Sequence, residues 1–160
     1  MSNPNPPTKQ SFDLTDRITI TTDAYDMMLL HAKQRLPFEA CGALAGSLPG
    51  IQQHAGIQIT AVYAIPNEAP NPNRTFAFSP DAWVNAYYRM QKNRQSLVGF
   101  FHSHPTAPPV LSQADLAGLR HSGAETCWIL SLANPDSPSV CVYRQLRGQW
   151  LPSMFAQVRV

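Results

Sequence analysis

The chain has 160 residues, of which 44% are hydrophobic, and its formal net charge is only +2. This length predicts one domain whose core needs no disulfides. The small charge, without any basic run, argues against a nucleic-acid partner, and no apolar stretch is long enough to cross a membrane. The N-terminal residues lack the pattern of a secretory signal, and the three cysteines lie in apolar surroundings typical of reduced thiols. We therefore expect a cytoplasmic protein.

Apolar spacing and helix-capping signals predict alternating strands and helices. In chain order, the predicted elements are a strand at 17–21, a helix at 23–36, strands at 42–46, 57–65 and 76–78, a helix from 79 to about 94, a strand at 97–102, a helix at 112–119, and strands at 128–132, 140–144 and 150–158. This order predicts an α/β fold in which helices flank one mixed β-sheet. We expect residues 1–14 to form a flexible tail and residues 15–160 to form the domain.

Two of the predicted helices carry apolar residues at helical spacing. In the first helix these are Ala24, Met27, Met28 and Leu30. In the second they include Trp83, Tyr87 and Tyr88. Core packing is the expected role of such residues. Any of the aromatic residues that are exposed would suit a homodimer interface.

Two histidines follow directly from the apolar segment that predicts the strand at 97–102. His102 and His104 are one residue apart, so their side chains point to the same side of an extended chain. Asp115 follows in the first turn of the predicted helix at 112–119, where its carboxylate can complete a set of two nitrogens and one oxygen. Three protein ligands leave one coordination position for water, as in catalytic zinc sites. The pattern therefore predicts a catalytic metal site.

Each residue of this set also has an ordinary structural interpretation. A His-x-His pair on a strand is often only hydrogen-bonded, Asp115 could complement a helix dipole, and Ser112 could simply cap the helix. The full spacing His-x-His-Pro-x6-Ser-x2-Asp, beside a proline-rich loop, favours one shared site over separate roles. His121, after the helix, could contact the ligands of a metal or be a polar residue near the helix end.

Glu39 is the candidate for a general base, because a catalytic metal site needs a group that handles the proton. It lies between Phe38 and the small apolar segment Ala40–Ala43. Partial desolvation there would raise the pKa of its carboxyl toward the range useful for proton transfer. The alternative is a surface glutamate at the end of a loop.

The set of Glu39, the His102–His104 pair followed by proline, Ser112 and Asp115 resembles the JAMM (MPN-plus, Mov34/PAD-1-like) motif of zinc metallopeptidases. The resemblance covers nearly the whole chain and implies a cytidine-deaminase-like α/β fold. It also implies that His102, His104 and Asp115 hold Zn2+. Glu39 would then be the general base, and Ser112 would donate a hydrogen bond to the oxyanion.

The segment Glu39–Gly42, Asn67 and the short chain resemble the bacterial branch of that family, which includes Mec-like peptidases of sulfur-carrier proteins. The resemblance implies hydrolysis of a peptide or isopeptide bond after the C-terminal Gly-Gly of a ubiquitin-like or sulfur-carrier protein, for example release of cysteine from a carrier–cysteine adduct. Such a tail could add to a sheet edge as an extra strand. The loop Pro66–Arg74 could form one wall of its channel or be a plain connection, and Arg74 could bind a substrate carboxylate or only solvent.

Three other functions fit parts of the pattern. Cys41, near Glu39, could serve a cysteine-dependent hydrolase, although free cysteine is more often a core residue. A zinc deaminase would need His-x-Glu and Pro-Cys-x-x-Cys, which the chain lacks. A non-catalytic zinc-containing scaffold that binds ubiquitin-like proteins is the third, and an intact Glu39 argues against it. The carrier, the leaving group and the oligomeric state do not follow from the sequence.

Overall fold

Eight strands and three helices make up the structure, a computed structural model that describes residues 17–48, 56–120 and 122–159. The strands are β1 (Ile18–Thr21), β2 (Cys41–Ser47), β3 (Ile57–Ile65), β4 (Ser96–His104), β5 (Thr126–Ser131), β6 (Ser139–Leu146), β7 (Gln149–Ser153) and β8 (Ala156–Val158). The helices are α1 (Thr22–Arg35), α2 (Pro80–Lys92) and α3 (Gln113–Leu119). The predicted tail at 1–14 lies outside the described residues and stays a prediction. No helix in the described ranges is long and apolar enough to span a membrane.

All eight strands form one sheet in the order β7-β6-β5-β4-β2-β3-β1-β8. The pairs β1–β3, β1–β8 and β4–β5 are parallel and the others antiparallel, which confirms the predicted mixed sheet. Strands β7 and β8 lie at opposite ends of this order, yet only Met154 and Phe155 separate them in the chain. The sheet is therefore curled strongly enough to bring its two ends together.

The predicted strand at 150–158 is wrong in one respect, because it is two strands at opposite edges of the sheet. The chain leaves the edge at Ser153 and joins β1 from Ala156 onward. Between them, the ring of Phe155 packs on Trp128, with centroids 4.8 Å apart, and on Tyr25 at 6.0 Å. Partial burial of this aromatic ring against Trp128 and Tyr25 explains the break that alternation alone did not reveal.

The predicted strand at 76–78 is also wrong, since only an isolated bridge joins Asn67 to Phe78. The Asn67 side chain supplies the partners that a neighbouring strand would otherwise offer. Its Oδ1 accepts from the backbone N–H of Ala77, and its Nδ2 donates to the carbonyl of Thr75, both at 3.0 Å. A side chain therefore replaces a strand ladder here.

The helices bury narrower faces than the spacing predicts. In α1 the buried residues are Ala24, Met28 and Ala32. Met27 and Leu30, predicted to be in the core, are 57% and 55% exposed. A stripe with a four-residue repeat, made mostly of alanine, is enough to seat α1 against the sheet, so neighbouring apolar positions remain in solvent.

The aromatic residues of α2 are likewise mostly outside the core. Ala86 and Met90 are its buried residues, whereas Tyr87 and Tyr88 are 43% and 68% exposed. The expected core packing is wrong for these two tyrosines, and only Trp83 packs partly against the cluster beneath the helix.

The small residues of β2 allow it to pack closely against its neighbours in the sheet. Cys41, Ala43, Leu44 and Ala45 are fully buried. A methyl group on Gly42 would collide with the Phe101 ring on β4. This fit places β4 in the middle of the sheet, between β2 and β5. The candidate site lies at the C-terminal end of β4.

Candidate metal centre and adjoining groove

His102 and His104 lie among the last three residues of β4. This strand ends at His104, two residues beyond the predicted strand. Their side chains share one side of the strand, and the Nε2 atoms of His102 and His104 are 3.1 Å apart. Both residues are at most 8% exposed. The expected convergence of the two imidazoles is therefore present in the structure.

Asp115 reaches the same point from the first turn of α3. Its Oδ1 lies 3.1 Å from Nε2 of His102, and its Oδ2 lies 3.2 Å from Nε2 of His104. The helix begins with a capping box, in which the Ser112 Oγ accepts from the Asp115 N–H at 3.0 Å and Asp115 Oδ2 accepts from the Ser112 N–H at 2.9 Å. The cap thus fixes the aspartate in its orientation toward the histidines.

The position of Ser112 is compatible with both roles considered from the sequence, the helix cap and the oxyanion donor. As the residue that caps α3, its Oγ is an acceptor, and the hydroxyl proton remains able to donate to another group. The residue is exposed. Its part in stabilising an oxyanion stays a prediction.

Contacts behind the histidines set their orientation. The Nδ1–H of His104 donates to the carbonyl of Pro108 at 2.8 Å, which leaves the lone pair of Nε2 directed at the shared point. The ring of His102 stacks on Phe76, with centroids 4.7 Å apart and planes 25° apart. Both rings are therefore held for ligation by groups outside the set.

Glu39 lies beside the histidines and is only 2% exposed. Its carboxylate oxygen and one ring nitrogen from each of His102 and His104 all lie within 4.8 Å of one another. Its Oε2 has no hydrogen-bond partner among the described residues. Burial raises the pKa of Glu39 to about 7, with His104 opposing the rise and Asp115 adding to it. The desolvation predicted from its neighbours in the sequence is therefore present.

The backbone around Glu39 is hydrogen-bonded on every side. The Glu39 N–H donates to the Pro72 carbonyl at 2.7 Å, and the Glu39 carbonyl accepts from Asn67 Nδ2 at 3.0 Å. The Ala40 N–H donates to Ser103 Oγ at 2.8 Å, and the Ala40 carbonyl accepts from the Ser103 N–H at 2.9 Å. Ser103, between the two histidines, thus fixes the register of Glu39 against them.

The titration of these groups agrees with a cation site. Burial lowers the pKa of His102, so its imidazole is held neutral. Burial alone would raise the pKa of Asp115, but hydrogen bonds from His102 and His104 outweigh it and hold the pKa well below its usual range. Burial alone would lower the pKa of His104, but hydrogen bonds with Asp115 and Pro108 outweigh it and raise the pKa, so a divalent metal would displace that ring proton on binding. Two imidazole nitrogens and an ionised carboxylate that converge on one point form a donor set suited to such a metal. The buried group of Glu39, His102 and His104 is likewise compatible with metal binding.

A groove of about 440 Å³ opens beside the metal centre. One wall comes from the segment after β3, and the opposite wall from α3. The lining residues are Arg74, Thr75, Phe76, Phe78, Trp83, Phe100, His102, Ala114, Asp115, Gly118, Leu119, Ser122 and Cys127. Arg74, at the C-terminal end of the loop Pro66–Arg74, lines this groove. The role of the loop as a wall of a substrate channel stays a prediction.

Some residues that shape the site were not assigned such roles from the sequence. Asn67 and Ser103 hold Glu39 through hydrogen bonds, and Phe76 stacks on His102. Only the position of Ser103 inside the His-x-His pair offered a signal, because the residue between the two must point to the opposite face of the strand. His121 lies outside the described residues, so its predicted contact with the metal ligands stays untested.

The site combines a donor set compatible with a divalent metal with a mixed α/β sheet. The chain belongs to the family described as prokaryotic homologs of the JAB domain, whose model matches residues 21–145. The resemblance to the JAMM motif is thereby confirmed, and with it the prediction of a JAMM-type enzyme.

Two curated relatives carry the name desampylase. The one from Haloferax volcanii is 26% identical over 150 residues, covering 91% of this chain and 96% of its own. The one from Pyrococcus furiosus is 26% identical over 141 residues, covering 82% and 94%.

Solved structures show the same fold. A protein from Desulfitobacterium hafniense, determined in solution, is 30% identical with a TM-score of 0.77, covering 89% of this chain and 94% of its own. A second solution structure, from Salinibacter ruber, is 22% identical with a TM-score of 0.65, covering 88% and 91%. The predicted α/β class is therefore confirmed.

Proposed function

We propose that the protein is a zinc-dependent metallopeptidase that hydrolyses a peptide or isopeptide bond after the C-terminal Gly-Gly of a ubiquitin-like or sulfur-carrier protein. The observation that carries this proposal is the convergence of His102, His104 and Asp115 at 3.1–3.2 Å beside a buried glutamate. The unpartnered Oε2 of Glu39 is a further argument for chemistry, because a scaffold that only binds would have no use for a costly buried carboxylate.

Zinc fits this donor set better than the harder cations do. Ligand atoms at about 2.0–2.1 Å from a tetrahedral zinc ion lie about 3.3 Å from one another, close to the 3.1 and 3.2 Å separations here. Imidazole is a preferred ligand of zinc, whereas calcium and magnesium prefer oxygen. His102, His104 and Asp115 would hold the ion.

The residues around the ion have separable tasks in hydrolysis. A bound zinc ion would supply Lewis acidity, which lowers the pKa of water and polarises a carbonyl. Glu39 would accept the proton of the attacking water at its carboxylate and pass it to the leaving amine, a task for which a pKa of about 7 is well matched. The Ser112 hydroxyl would donate to the carbonyl oxygen as negative charge develops there.

The groove suits the slim end of an extended polypeptide. It leads directly to His102 and Asp115, and aromatic side chains line one side of it. Two glycines without side chains would pass such walls most easily. The desampylase names of the two relatives, which denote removal of a ubiquitin-like modifier, support a partner of this kind. The three cysteines are free thiols, which supports a reducing, cytoplasmic location.

The proposal is tested by incubating the zinc-loaded protein with ubiquitin-like and sulfur-carrier proteins that end in Gly-Gly followed by cysteine, a short peptide or a lysine-linked protein. Mass spectrometry would show cleavage directly after the second glycine and identify the leaving group. One bound zinc per chain with no cleavage of any such fusion would favour the non-catalytic scaffold instead.

Ser112→Ala should lower kcat about 10²–10³-fold, the usual loss for one oxyanion donor, and cost about 0.5–2 kcal/mol of stability through loss of the helix cap. Ser112→Gly separates the two effects. Glycine costs a cap only a few tenths of a kcal/mol, so this variant should lose as much activity while melting near the wild type. Equal activity of the glycine variant and the wild type would remove Ser112 from the mechanism.

Thiol alkylation should leave activity unchanged, whereas a zinc chelator should abolish it. Burial raises the pKa of Cys41 to about 12, and its Sγ donates to the Ile65 carbonyl at 3.3 Å. Burial likewise raises the pKa of Cys127, in the groove, to about 12. Neither thiol is a competent nucleophile near neutral pH. Iodoacetamide and a chelator applied in parallel, with turnover as the readout, distinguish the metal enzyme from a cysteine hydrolase.

A further inference from the structure

We propose that Asn67 is a positioning residue that couples the wall of the groove to the Glu39 carboxylate. The proposal rests on the hydrolase function above and adds to it a residue that touches neither the metal ligands nor the groove. Asn67 would act through the backbone of Glu39.

The Asn67 carboxamide uses its full hydrogen-bonding capacity. Its Nδ2 donates to the carbonyls of Glu39 and Thr75, each at 3.0 Å, with the Pro72 carbonyl also near at 3.4 Å. Its Oδ1 accepts from the N–H groups of Ala69 and Ala77, each at 3.0 Å. Two donors and two acceptor sites are all that an amide side chain has. Carbonyls on one side and N–H groups on the other also leave only one orientation of the amide.

These bonds join three parts of the chain at one side chain. One part is the backbone of Glu39; the second is the turn that contains Pro72, whose carbonyl also accepts from the Glu39 N–H at 2.7 Å. The third is the strip Thr75–Ala77, which forms part of the groove wall. An occupant of the groove would therefore contact the strip Thr75–Ala77. The Asn67 amide joins this strip to Glu39, the proposed general base.

The same strip also touches the metal centre, because Phe76 stacks on His102. Glu39 is held from its other side by the Ser103 bonds to Ala40, which fix it relative to the histidines. Ser103 sets the register of Glu39 against the histidines, and Asn67 holds the Glu39 carbonyl from the other side. Without the Asn67 donors, the Glu39–Ala40 peptide would keep only the bond from its N–H to Ser103, so Glu39 could shift while the metal ligands stayed in place.

Asn67→Asp is the selective test, since it preserves the shape and the Oδ1 acceptor but replaces both donors with an oxygen that faces carbonyls. We expect kcat to fall at least about tenfold, within the range known for misplaced catalytic groups, while KM changes by less than about threefold and zinc content stays at one per chain. Asn73→Asp is the matched control, with the same charge change on an exposed side chain of the same loop, and should behave as the wild type.

A second readout separates positioning from a general loss of structure. If Asn67 acts through Glu39, the amide proton of Ala40, which shares a peptide group with the Glu39 carbonyl, should exchange faster in the Asn67 variant, whereas that of Leu132, bonded to the His104 carbonyl, should be unchanged. Should Asn67→Asp fail to fold, Asn67→Ala gives the same two measurements. A folded, zinc-loaded Asn67 variant with wild-type kcat, or with a raised KM alone, overturns the proposal. If instead the wild type cleaves no Gly-Gly fusion at all, the proposed function itself is what has failed.

Discussion

Glu39→Gln should abolish nearly all turnover while the protein keeps its metal. Loss of a general base typically costs about 10²–10⁴ in rate, and the proposed base is the buried carboxyl whose pKa burial raises to about 7. Glutamine has the same shape but cannot accept the proton. Turnover of a Gly-Gly fusion and metal analysis of the same sample provide the measurement.

Glu68→Gln is the matched control, because Glu68 is an exposed glutamate that follows Asn67, the residue bonded to the Glu39 carbonyl. It should be as active as the wild type. The metal-free Glu39→Gln protein should also be at least as stable as the wild type, since a buried neutral amide is less costly than a buried carboxylate. If the glutamine variant loses its metal, Glu39 is a ligand in the alternative group with His102 and His104 rather than the base.

His102→Ala and Asp115→Ala should each lose metal and activity together. Even the loss of a group that only supports a ligand weakens metal binding about 10–100-fold, so removal of a ligand should exceed that. Metal content after dialysis against a weak chelator, measured beside turnover, provides the test. Asp115→Ala should also melt lower, because its carboxylate accepts the Ser112 N–H at the start of α3.

Asp81→Ala serves as the control for the aspartate, since Asp81 occupies the first turn of α2 as Asp115 does that of α3. Its loss should cost a fraction of a kcal/mol through the helix dipole and leave the metal bound. Full metal content in Asp115→Ala would contradict the assignment of the three ligands.

The central part of the fold and the convergence of His102, His104 and Asp115 followed from the sequence because both depend on short-range patterns. Alternation along β3 and the cap at Ser112 are local signals, and the predicted bounds of β3 match the structure. His102 and His104 lie at the end of one strand, and Asp115 lies in the first turn of the helix that follows. The short connection between strand and helix keeps the three side chains close together.

The errors occurred where distant contacts override local preference. Phe155 breaks the last predicted strand because a pocket beside Trp128 receives its ring. Asn67 displaces a strand at 76–78 by bonding to backbone groups eight and ten residues away. Tyr87 and Tyr88 have helical spacing, but the sheet covers only the alanine and methionine side of α2. None of these partners can be identified from a periodicity.

The two-residue link between β7 and β8 limits how other chains can attach to this protein. Within residues 17–48, 56–120 and 122–159, the margins of the sheet are a five-residue strand interrupted by Pro152 and a three-residue strand, both poor templates for pairing. The histidine strand lies in the sheet interior, remote from either margin in strand order. The strip at 75–77 runs along the groove and is bonded on one side to Asn67, so a tail proposed to enter there would meet Phe76, which stacks on His102, rather than an edge strand.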